Sequence, residues 1–268
     1  MSYLEGPYAP IANRALVTGG SSGIGRGIAL MLASAGVRVY VVARRLAPLE
    51  AVIAEAPPDT MIPLSADIRD PQAVDAAFAT AEADGGAIPL IVNAAGGAFL
   101  ASAEDITPNG FTAVVASSLI GPFYVLHRWA RKLLESDQTG AAVMISSALA
   151  AREVPGATHS SAAKAGLEAL VRSLAVEWGP RGLRVNSLAP GAFCTKGADE
   201  GMWSAEVVRN ATLANIPLGR FGTSEELLGA AAFLMSGAAS YVTGATIVVD
   251  GGWHLSSHPF GDRYPIRT

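Results

Sequence analysis

A lysine, a histidine and several serines lie together in the sequence Thr-His-Ser-Ser-Ala-Ala-Lys-Ala-Gly at residues 158–166. Lys164 could hold an anionic or hydroxyl-rich ligand, and Ser160 precedes it by one helical turn. His159 could deliver a proton, since the ordinary pKa of histidine lies near neutrality. Plainer roles also fit these residues. Lys164 could pair with Glu168 on an exposed helix face, and the serines could be helix caps or polar filler. His159 could be a packed side chain with no chemical role.

A second chemically informative stretch is Thr-Gly-Gly-Ser-Ser-Gly-Ile-Gly at residues 18–25. It follows a short apolar run and opens a helical pattern, so its backbone amides and the positive end of the helix could hold a pyrophosphate. The spacing Gly19-x-x-x-Gly23-x-Gly25 differs from the general G-x-G-x-x-G dinucleotide fingerprint. Taken alone, the stretch could also be a simple turn.

Short apolar runs alternate with helical patterns along nearly the whole chain. Helix starts are indicated by Asp70-Pro71, by Thr107-Pro108 and by the capping-box spacing of residues 223–226. Most of the apolar runs lack a polar face, which is typical of parallel strands covered on both sides. The predicted strands are residues 15–18, 37–43, 61–64, 90–93, 142–146, 184–188 and 246–249. We therefore predict a Rossmann-like, doubly wound α/β fold with a seven-stranded parallel sheet.

One domain accounts for this pattern. We expect it to span residues 14–252, after an N-terminal extension at 1–13 and before a C-terminal tail at 253–268. Residues 190–216 lack a strand pattern and predict a substrate loop with a short helix. Residues 157–178 predict one long amphipathic helix with an apolar face.

Composition excludes several classes of function. The formal net charge is −4 and 16% of residues are charged, with no basic cluster for a nucleic acid or a membrane surface. The single cysteine, Cys194, has no partner for a disulfide and no metal-ligand spacing around it, which predicts a reducing, cytoplasmic setting and no metal site. No secretory signal pattern opens the sequence, and its apolar runs are shorter than the ~20 residues of a membrane span.

Five motifs in order resemble the short-chain dehydrogenase/reductase family, and the resemblance runs from about residue 14 to residue 252. They are the glycine motif at 19–25, Asp67-Ile68, Val-Asn-Ala-Ala-Gly at 92–96, Arg-Val-Asn-Ser-Leu-Ala-Pro-Gly at 184–191, and the segment 241–252. The resemblance implies a nicotinamide dinucleotide cofactor. The residues that it implies for cofactor binding are Gly19, Ser21, Ser22, Gly23, Ile24, Gly25, Arg44, Arg45, Asp67, Ile68, Asn93, Ala94, Ala95, Gly96, Lys164, Pro190, Gly191, Phe193 and Thr195.

The end of the second predicted strand favours NADP(H) over NAD(H). An acidic residue there would bind the ribose hydroxyls of NAD, but this strand ends in Ala43-Arg44-Arg45, and the next acidic residue is Glu50. Arginine offers a fixed fork of donors to the 2′-phosphate of NADP. The alternative is a solvated pair of arginines in a loop.

The family's usual catalytic residues are an asparagine, a serine, a tyrosine and a lysine. The matching positions here are Ser118, Ser147, Ser160 and Lys164, so the asparagine and the tyrosine are both replaced by serine. Serine is a far weaker acid than a phenol, and losing a positioned general acid costs ~10²–10⁴ in rate. The sequence therefore disfavours ordinary ketone reduction.

The 2,4-dienoyl-CoA reductases are a branch of the family that also lacks this tyrosine. Residues 158–166 resemble that branch, including a histidine five before the lysine, as do residues 174–180 and 239–245. The resemblance implies NADPH-dependent reduction of a conjugated enoyl or dienoyl thioester, with fixed donors at the thioester oxygen and a water that protonates carbon. The match to the catalytic residues of that branch is incomplete. Leu149 stands where the mitochondrial enzymes have another tyrosine, and Ser118 where the peroxisomal enzymes have an aspartate.

Two alternatives remain open. The protein could act on another carbonyl or conjugated substrate, or it could be a catalytically inactive NADP-binding relative. Lys196 and Arg209, which flank the substrate loop, weakly favour a CoA thioester as the small-molecule substrate. The family also implies a homo-oligomer, often a tetramer, packed through residues 119–134, residues 157–178 and the last strand.

Overall fold

The computed structural model describes residues 4–152, 154–194 and 206–256. Its strands are β1 (Arg14–Thr18), β2 (Arg38–Ala43), β3 (Met61–Ser65), β4 (Leu90–Asn93), β5 (Gly140–Ile145), β6 (Leu183–Pro190), β7 (Phe193–Cys194), β8 (Gly222–Thr223) and β9 (Thr246–Val249). Seven of them form one parallel sheet in the order β3-β2-β1-β4-β5-β6-β9. The predicted doubly wound, seven-stranded parallel sheet in a single domain is confirmed.

The helices begin largely where the sequence has capping residues. They are α1 (Gly23–Ser34), α2 (Leu46–Ile53), α3 (Pro71–Ala83), α4 (Pro108–Val115), α5 (Gly121–Glu135), α6 (Thr158–Trp178), α7 (Glu206–Ala214) and α8 (Ser224–Met235). Asp70 accepts a hydrogen bond from the Gln72 amide at the start of α3, and Thr107 accepts one from the Gly110 amide in α4. Each is followed by proline at the first helical position, where no amide donor is needed.

Both faces of the sheet are covered, which explains why its strands are apolar throughout. Helices α1, α2 and α8 pack on one face, and α3, α5 and α6 pack on the other. The chain runs outward from β1 through β2 to β3 and then returns to form β4 on the opposite side of β1. The carboxyl ends of β1 and β4 therefore flank the crevice where ligands bind in open α/β sheets.

A π-helical turn, Ala116–Ile120, joins α4 to α5 and makes one continuous helical segment, Pro108–Glu135. By length and composition alone this 28-residue segment could cross a membrane, which the apolar runs of the sequence did not indicate. In the fold, α5 packs Val125, Leu126 and Trp129 against the sheet, and the Trp129 indole donates to the Ile88 carbonyl at 2.9 Å. The segment is thus a core helix with one exposed apolar side.

The prediction of a strand-free loop at residues 190–216 is only partly correct. A two-residue strand, β7, pairs with β8 and closes the start of the loop. The short helix predicted there is present as α7, while residues 195–205 lie outside the described ranges. A two-residue strand has no alternation to detect, which is why the sequence pattern did not reveal it.

Candidate active site

A cleft of ≈ 600 Å³ opens at the carboxyl ends of β1 and β4. The predicted cofactor residues that line it are Gly19, Ser21, Ser22, Gly23, Ile24, Gly25, Arg44, Arg45, Asp67, Ile68, Ala94, Ala95 and Gly96. These residues come from the loops after β1, β2, β3 and β4, which the parallel order brings to one edge of the sheet. The cleft has the glycine-rich lining expected for a dinucleotide site.

The turn after β1 leaves room for a ligand only because it lacks side chains. Gly19 and Gly23 have φ values of +69° and +54°, which favour glycine. A Cβ added at Gly19 would lie 2.7 Å from the Ala94 carbonyl carbon, and one added at Gly25 would lie 2.8 Å from that of Gly19. The residue before α1, Ser22, makes no side-chain cap, so the first amides of the helix remain available for a pyrophosphate.

Arginines and one aspartate surround the outer end of the cleft. Arg44 and Arg45 are exposed there, and neither guanidinium donates a hydrogen bond to another described residue. Arg69 instead bonds both carboxylate oxygens of Asp67, with Nη2 2.6 Å from Oδ2, and these bonds lower the pKa of Asp67. The unpaired positive charge at this end therefore comes from Arg44 and Arg45.

Asn93, a predicted cofactor residue, lies beneath the cleft. It is fully buried, and its Oδ1 accepts a hydrogen bond of 2.7 Å from Thr18 Oγ1, across the junction of β1 and β4. The same hydroxyl accepts from the Ala95 amide at 3.3 Å. Asn93 thus fixes the loop 94–96, and that loop, rather than the asparagine, forms the wall of the cleft.

Lys164 reaches the inner end of the site from α6. Its Nζ donates to the Ile145 carbonyl at 2.7 Å, and a Cβ added at Gly96 would lie 3.6 Å from this nitrogen. Burial lowers the pKa of Lys164 to about 8, and the nearby Glu168 carboxylate opposes that shift. The exposed Lys164–Glu168 ion pair considered from the sequence is not present, because the end of β5 offers the ammonium group a backbone acceptor.

The candidate serines come from three elements, and of them Ser118 lies next to the wall of the cleft. Ser118, on the π-helical turn, lies 3.3 Å from the position of a Cβ on Gly96 and donates weakly to the Gly97 carbonyl. Ser147 follows β5 and accepts a hydrogen bond from the Leu149 amide at 3.2 Å. Ser160, 5% exposed, lies one turn before Lys164 on α6.

His159 is fully buried and packs against Phe99, with ring centroids 4.2 Å apart and the ring planes tilted by 52°. Neither ring nitrogen has a hydrogen-bond partner in the described part of the chain, and burial lowers the pKa of the imidazole. Five positions along a helix correspond to roughly 140° of rotation, so His159 and Lys164 project in different directions. These contacts favour the packing role over proton delivery.

The end of β6 and the segment after it carry three further residues predicted to bind the cofactor, and none of them is among the described residues that line the cleft. Pro190 ends the strand, Gly191 contacts Asp250 with no room for a Cβ, and Phe193 is buried. Thr195, also predicted to bind the cofactor, lies outside the described residues. Cys194 is exposed, with its Sγ 4.0 Å from Arg209 Nη2.

An apolar cluster packs around this segment. It joins Leu149, Ala192, Ile216, Phe221 and Trp253. Arg152 donates to the backbone carbonyls of Trp253 and Ser256 and lies over the Trp253 ring. Residues 253–256 of the expected tail therefore pack on their own chain.

Sequence reasoning missed several residues of the site. Arg69, Phe99 and Ser117 line the cleft, and Ser146 donates to Glu168 at 2.7 Å. Arg69 could have been found from its position two residues after Asp67. The other contacts depend on how strand ends meet α4 and α6, and the sequence carries no signal for that.

Comparison with known proteins decides the family. Residues 19–254 match the family model described as "Enoyl-(Acyl carrier protein) reductase", a model of short-chain dehydrogenases/reductases. This chain belongs to the short-chain dehydrogenase/reductase family. Members of this family are oxidoreductases that use NAD(P)(H), and the glycine turn and open helix terminus described above fit that cofactor.

Two similar curated proteins carry dienoyl-CoA reductase names. The chain is 37% identical over 248 residues to the Bacillus subtilis (strain 168) "Probable 2,4-dienoyl-CoA reductase", covering 91% of this chain and 98% of that protein. It is 36% identical over 241 residues to the Rattus norvegicus "Peroxisomal 2,4-dienoyl-CoA reductase", covering 89% and 82%. The expected resemblance to the dienoyl-CoA reductase branch is thereby confirmed.

Solved structures of this short-chain dehydrogenase/reductase type share the fold. A short chain dehydrogenase from Bacillus anthracis superposes with a TM-score of 0.84 at 34% identity, over 92% of this chain and 98% of that one. An Agrobacterium tumefaciens "putative 2-deoxy-d-gluconate 3-dehydrogenase" with bound NADP gives a TM-score of 0.83 at 34% identity, over 93% and 99%.

Replacing Gly25 by alanine should weaken the binding of NADPH and NADH by about tenfold or more, because the new Cβ would push the turn after β1 out of place. Gly27→Ala in the same helix is the matched control, since its Cβ would meet only Leu228 Cδ2 at an ordinary 3.5 Å. Fluorescence titration of both nucleotides measures the effect. Equal affinities for Gly25→Ala and wild type would contradict this account of the turn.

Proposed function

We propose that this protein is an NADPH-dependent reductase of conjugated enoyl or dienoyl thioesters, similar to 2,4-dienoyl-CoA reductases. The observation that carries the proposal is Lys164 at the inner end of a dinucleotide cleft with Ser160, not a tyrosine, one turn before it. The names of the similar Bacillus and Rattus proteins support the substrate class.

The chemistry that this site can perform follows from its residues. When bound, NADPH supplies a hydride to the far carbon of the conjugated thioester. The amides at the start of α1 bind the pyrophosphate, and Lys164 binds the nicotinamide ribose. The hydroxyls of Ser118, Ser147 and Ser160 stabilise the negative charge that develops on the thioester oxygen, or order the water that protonates carbon. No side chain needs to be an acid as strong as tyrosine.

A second candidate is a reductase of another carbonyl or conjugated substrate. The Agrobacterium neighbour named as a sugar-acid dehydrogenase favours it, since that protein is also 34% identical over most of the chain. A catalytically inactive NADP-binding protein remains the third, because the cleft and Lys164 would serve binding alone equally well. Measuring turnover of a dienoyl thioester and of ketones separates these three candidates.

Reduction of a dienoyl-CoA tests the proposal directly, and the decrease in NADPH absorbance measures its rate. We expect turnover of the dienoyl thioester and none of a ketone panel. Lys164→Ala should raise the KM for NADPH by about 10- to 100-fold, because it removes charge-assisted hydrogen bonds. Ser160→Tyr should not improve dienoyl turnover. Activity confined to ketones would refute the proposal that the substrate is a conjugated thioester. NADPH binding without turnover of any substrate would support an inactive protein.

We propose NADP(H) as the cofactor, with Arg44 and Arg45 binding its 2′-phosphate. Replacing both by alanine should weaken NADPH binding by about 10- to 100-fold, the effect of losing hydrogen bonds to a charged group. NADH affinity should change little, which makes NADH the internal control. Isothermal titration with both nucleotides measures the ratio. A variant that loses affinity for both to the same degree would argue against a 2′-phosphate site here.

We propose that the protein is a homo-oligomer, in keeping with its family, with α4 and α5 in the subunit contact. Phe111, Ile120 and Phe123 are each 40% exposed on this segment, an apolar side that the described part of the chain leaves uncovered. Phe123→Glu should reduce the mass measured by light scattering after size exclusion. Leu46→Glu on α2, exposed to a similar degree at 45%, is the control. An unchanged mass for Phe123→Glu would rule this segment out.

The proposed setting is the cytoplasm. Cys194 is exposed and unpaired, which suits a reducing compartment. Among the described residues no group of His, Cys, Asp and Glu side chains could hold a metal ion.

A further inference from the structure

The first turns of α6 are held to the end of β5 by two adjacent hydrogen bonds. Lys164 Nζ donates to the Ile145 carbonyl at 2.7 Å, and Ser146 Oγ donates to Glu168 Oε1, also at 2.7 Å. Lys164 and Glu168 are one helical turn apart, and Ile145 and Ser146 are consecutive. The two bonds therefore hold both side chains against the end of β5 in a partly buried site, although Lys164 and Glu168 form no direct ion pair.

Lys164 is short of compensating negative charge in this position. Burial disfavours its charged form, and a backbone carbonyl supplies only a partial charge. In relatives with the catalytic tyrosine, a phenol next to the lysine can ionise, whereas Ser160 cannot near neutral pH. The side chain of Ser118, which like the ammonium group lies beside Gly96, is neutral as well. Among the described residues, Glu168 carries the carboxylate whose field favours the charged lysine.

We propose that Glu168 is a positioning residue of the cofactor site: its carboxylate, fixed by Ser146, keeps the Lys164 ammonium charged and next to the cleft. Ser146 is 3% exposed, so this bond is sheltered from water and holds the carboxylate in one place. The inference rests on the proposed role of Lys164 in holding the cofactor. It adds the residue that makes the lysine suited to that role.

A cofactor-free measurement tests the charge directly. The chain contains three lysines, Lys132, Lys164 and Lys196, so NMR of carbon-13-labelled lysine resolves their titrations, and Lys164→Arg assigns the signal. We expect a midpoint for Lys164 near its lowered pKa of about 8. Glu168→Gln removes the charge and should move that midpoint down by about one pH unit. The other two lysines should titrate as in wild type.

Two variants separate charge from shape. Glu168→Asp keeps a carboxylate and should restore most of the wild-type midpoint. Ser146→Ala keeps the charge and loses the bond, so it should stay closer to wild type than Glu168→Gln does. An unchanged midpoint in Glu168→Gln would overturn the proposal, as would a midpoint in Glu168→Asp no higher than that of Glu168→Gln. Thermal melting of each variant establishes that it is folded.

NADPH affinity against pH supplies the second readout. Wild-type affinity should fall as the pH rises through the Lys164 midpoint, because the neutral amine binds the ribose and phosphates less well. A free phosphate monoester ionises near pH 6, so the 2′-phosphate is already charged in this range. In Glu168→Gln the fall should begin about one pH unit lower. If that fall keeps its wild-type position while dienoyl-CoA is still reduced, the proposal fails and the proposed function stands. If NADPH does not bind at all, the proposed function fails, and the NMR midpoints still decide the role of Glu168.

Discussion

The cofactor cleft depends on a backbone contact between the turn after β1 and the loop after β4. Both Gly19 and Gly25 lie so close to neighbouring backbone that neither could carry a Cβ without displacing it. The hydrogen bond from Thr18 to Asn93 fixes the same junction from below. Because the sheet reverses its direction of growth at this junction, the two loops separate above it and leave room for a ligand. The arginines at its outer end and Lys164 at its inner end are positioned relative to this crevice.

In the proposed function, binding and chemistry rest on different parts of this site. The proposed binding groups are backbone amides, arginines and one lysine, and they are placed by the sheet and by α1 and α6. The chemical part has three serine hydroxyls where carbonyl-reducing relatives use an asparagine, a serine and a tyrosine. A hydroxyl that stays neutral can stabilise charge on a substrate oxygen but is a poor proton source near neutral pH. A substrate whose carbon accepts the proton from water fits that limitation, and this favours conjugate reduction.

Much of the fold could be predicted because it follows from local rules. The seven strands of the main sheet are where the apolar runs placed them, to within a few residues, and α3 and α4 begin at their predicted caps. The glycine turn after β1, which forms one wall of the cleft, was predictable for the same reason. The partners of Lys164 and His159 were not, because the Ile145 carbonyl and the Phe99 ring reach them from elements distant in sequence. The Asp67–Arg69 pair is local in sequence, but its consequence, that Arg44 and Arg45 rather than Arg69 are free, depends on side-chain geometry.

The long segment Pro108–Glu135 passes a length-and-composition test for a membrane span, yet its three sides have three different environments. One side packs Trp129 and its neighbours against the sheet. A second carries Arg128, which bonds Glu82 and Asp75 on α3 and so ties α5 to the neighbouring helix. Only the third side, with Ile120 and Phe123, is apolar and exposed. A helix in lipid needs apolar residues all round, whereas a helix between a core and a partner subunit needs this division. The exposed side therefore matches a contact between subunits, and α6, which packs beside this segment and carries Lys164, would lie close to that contact.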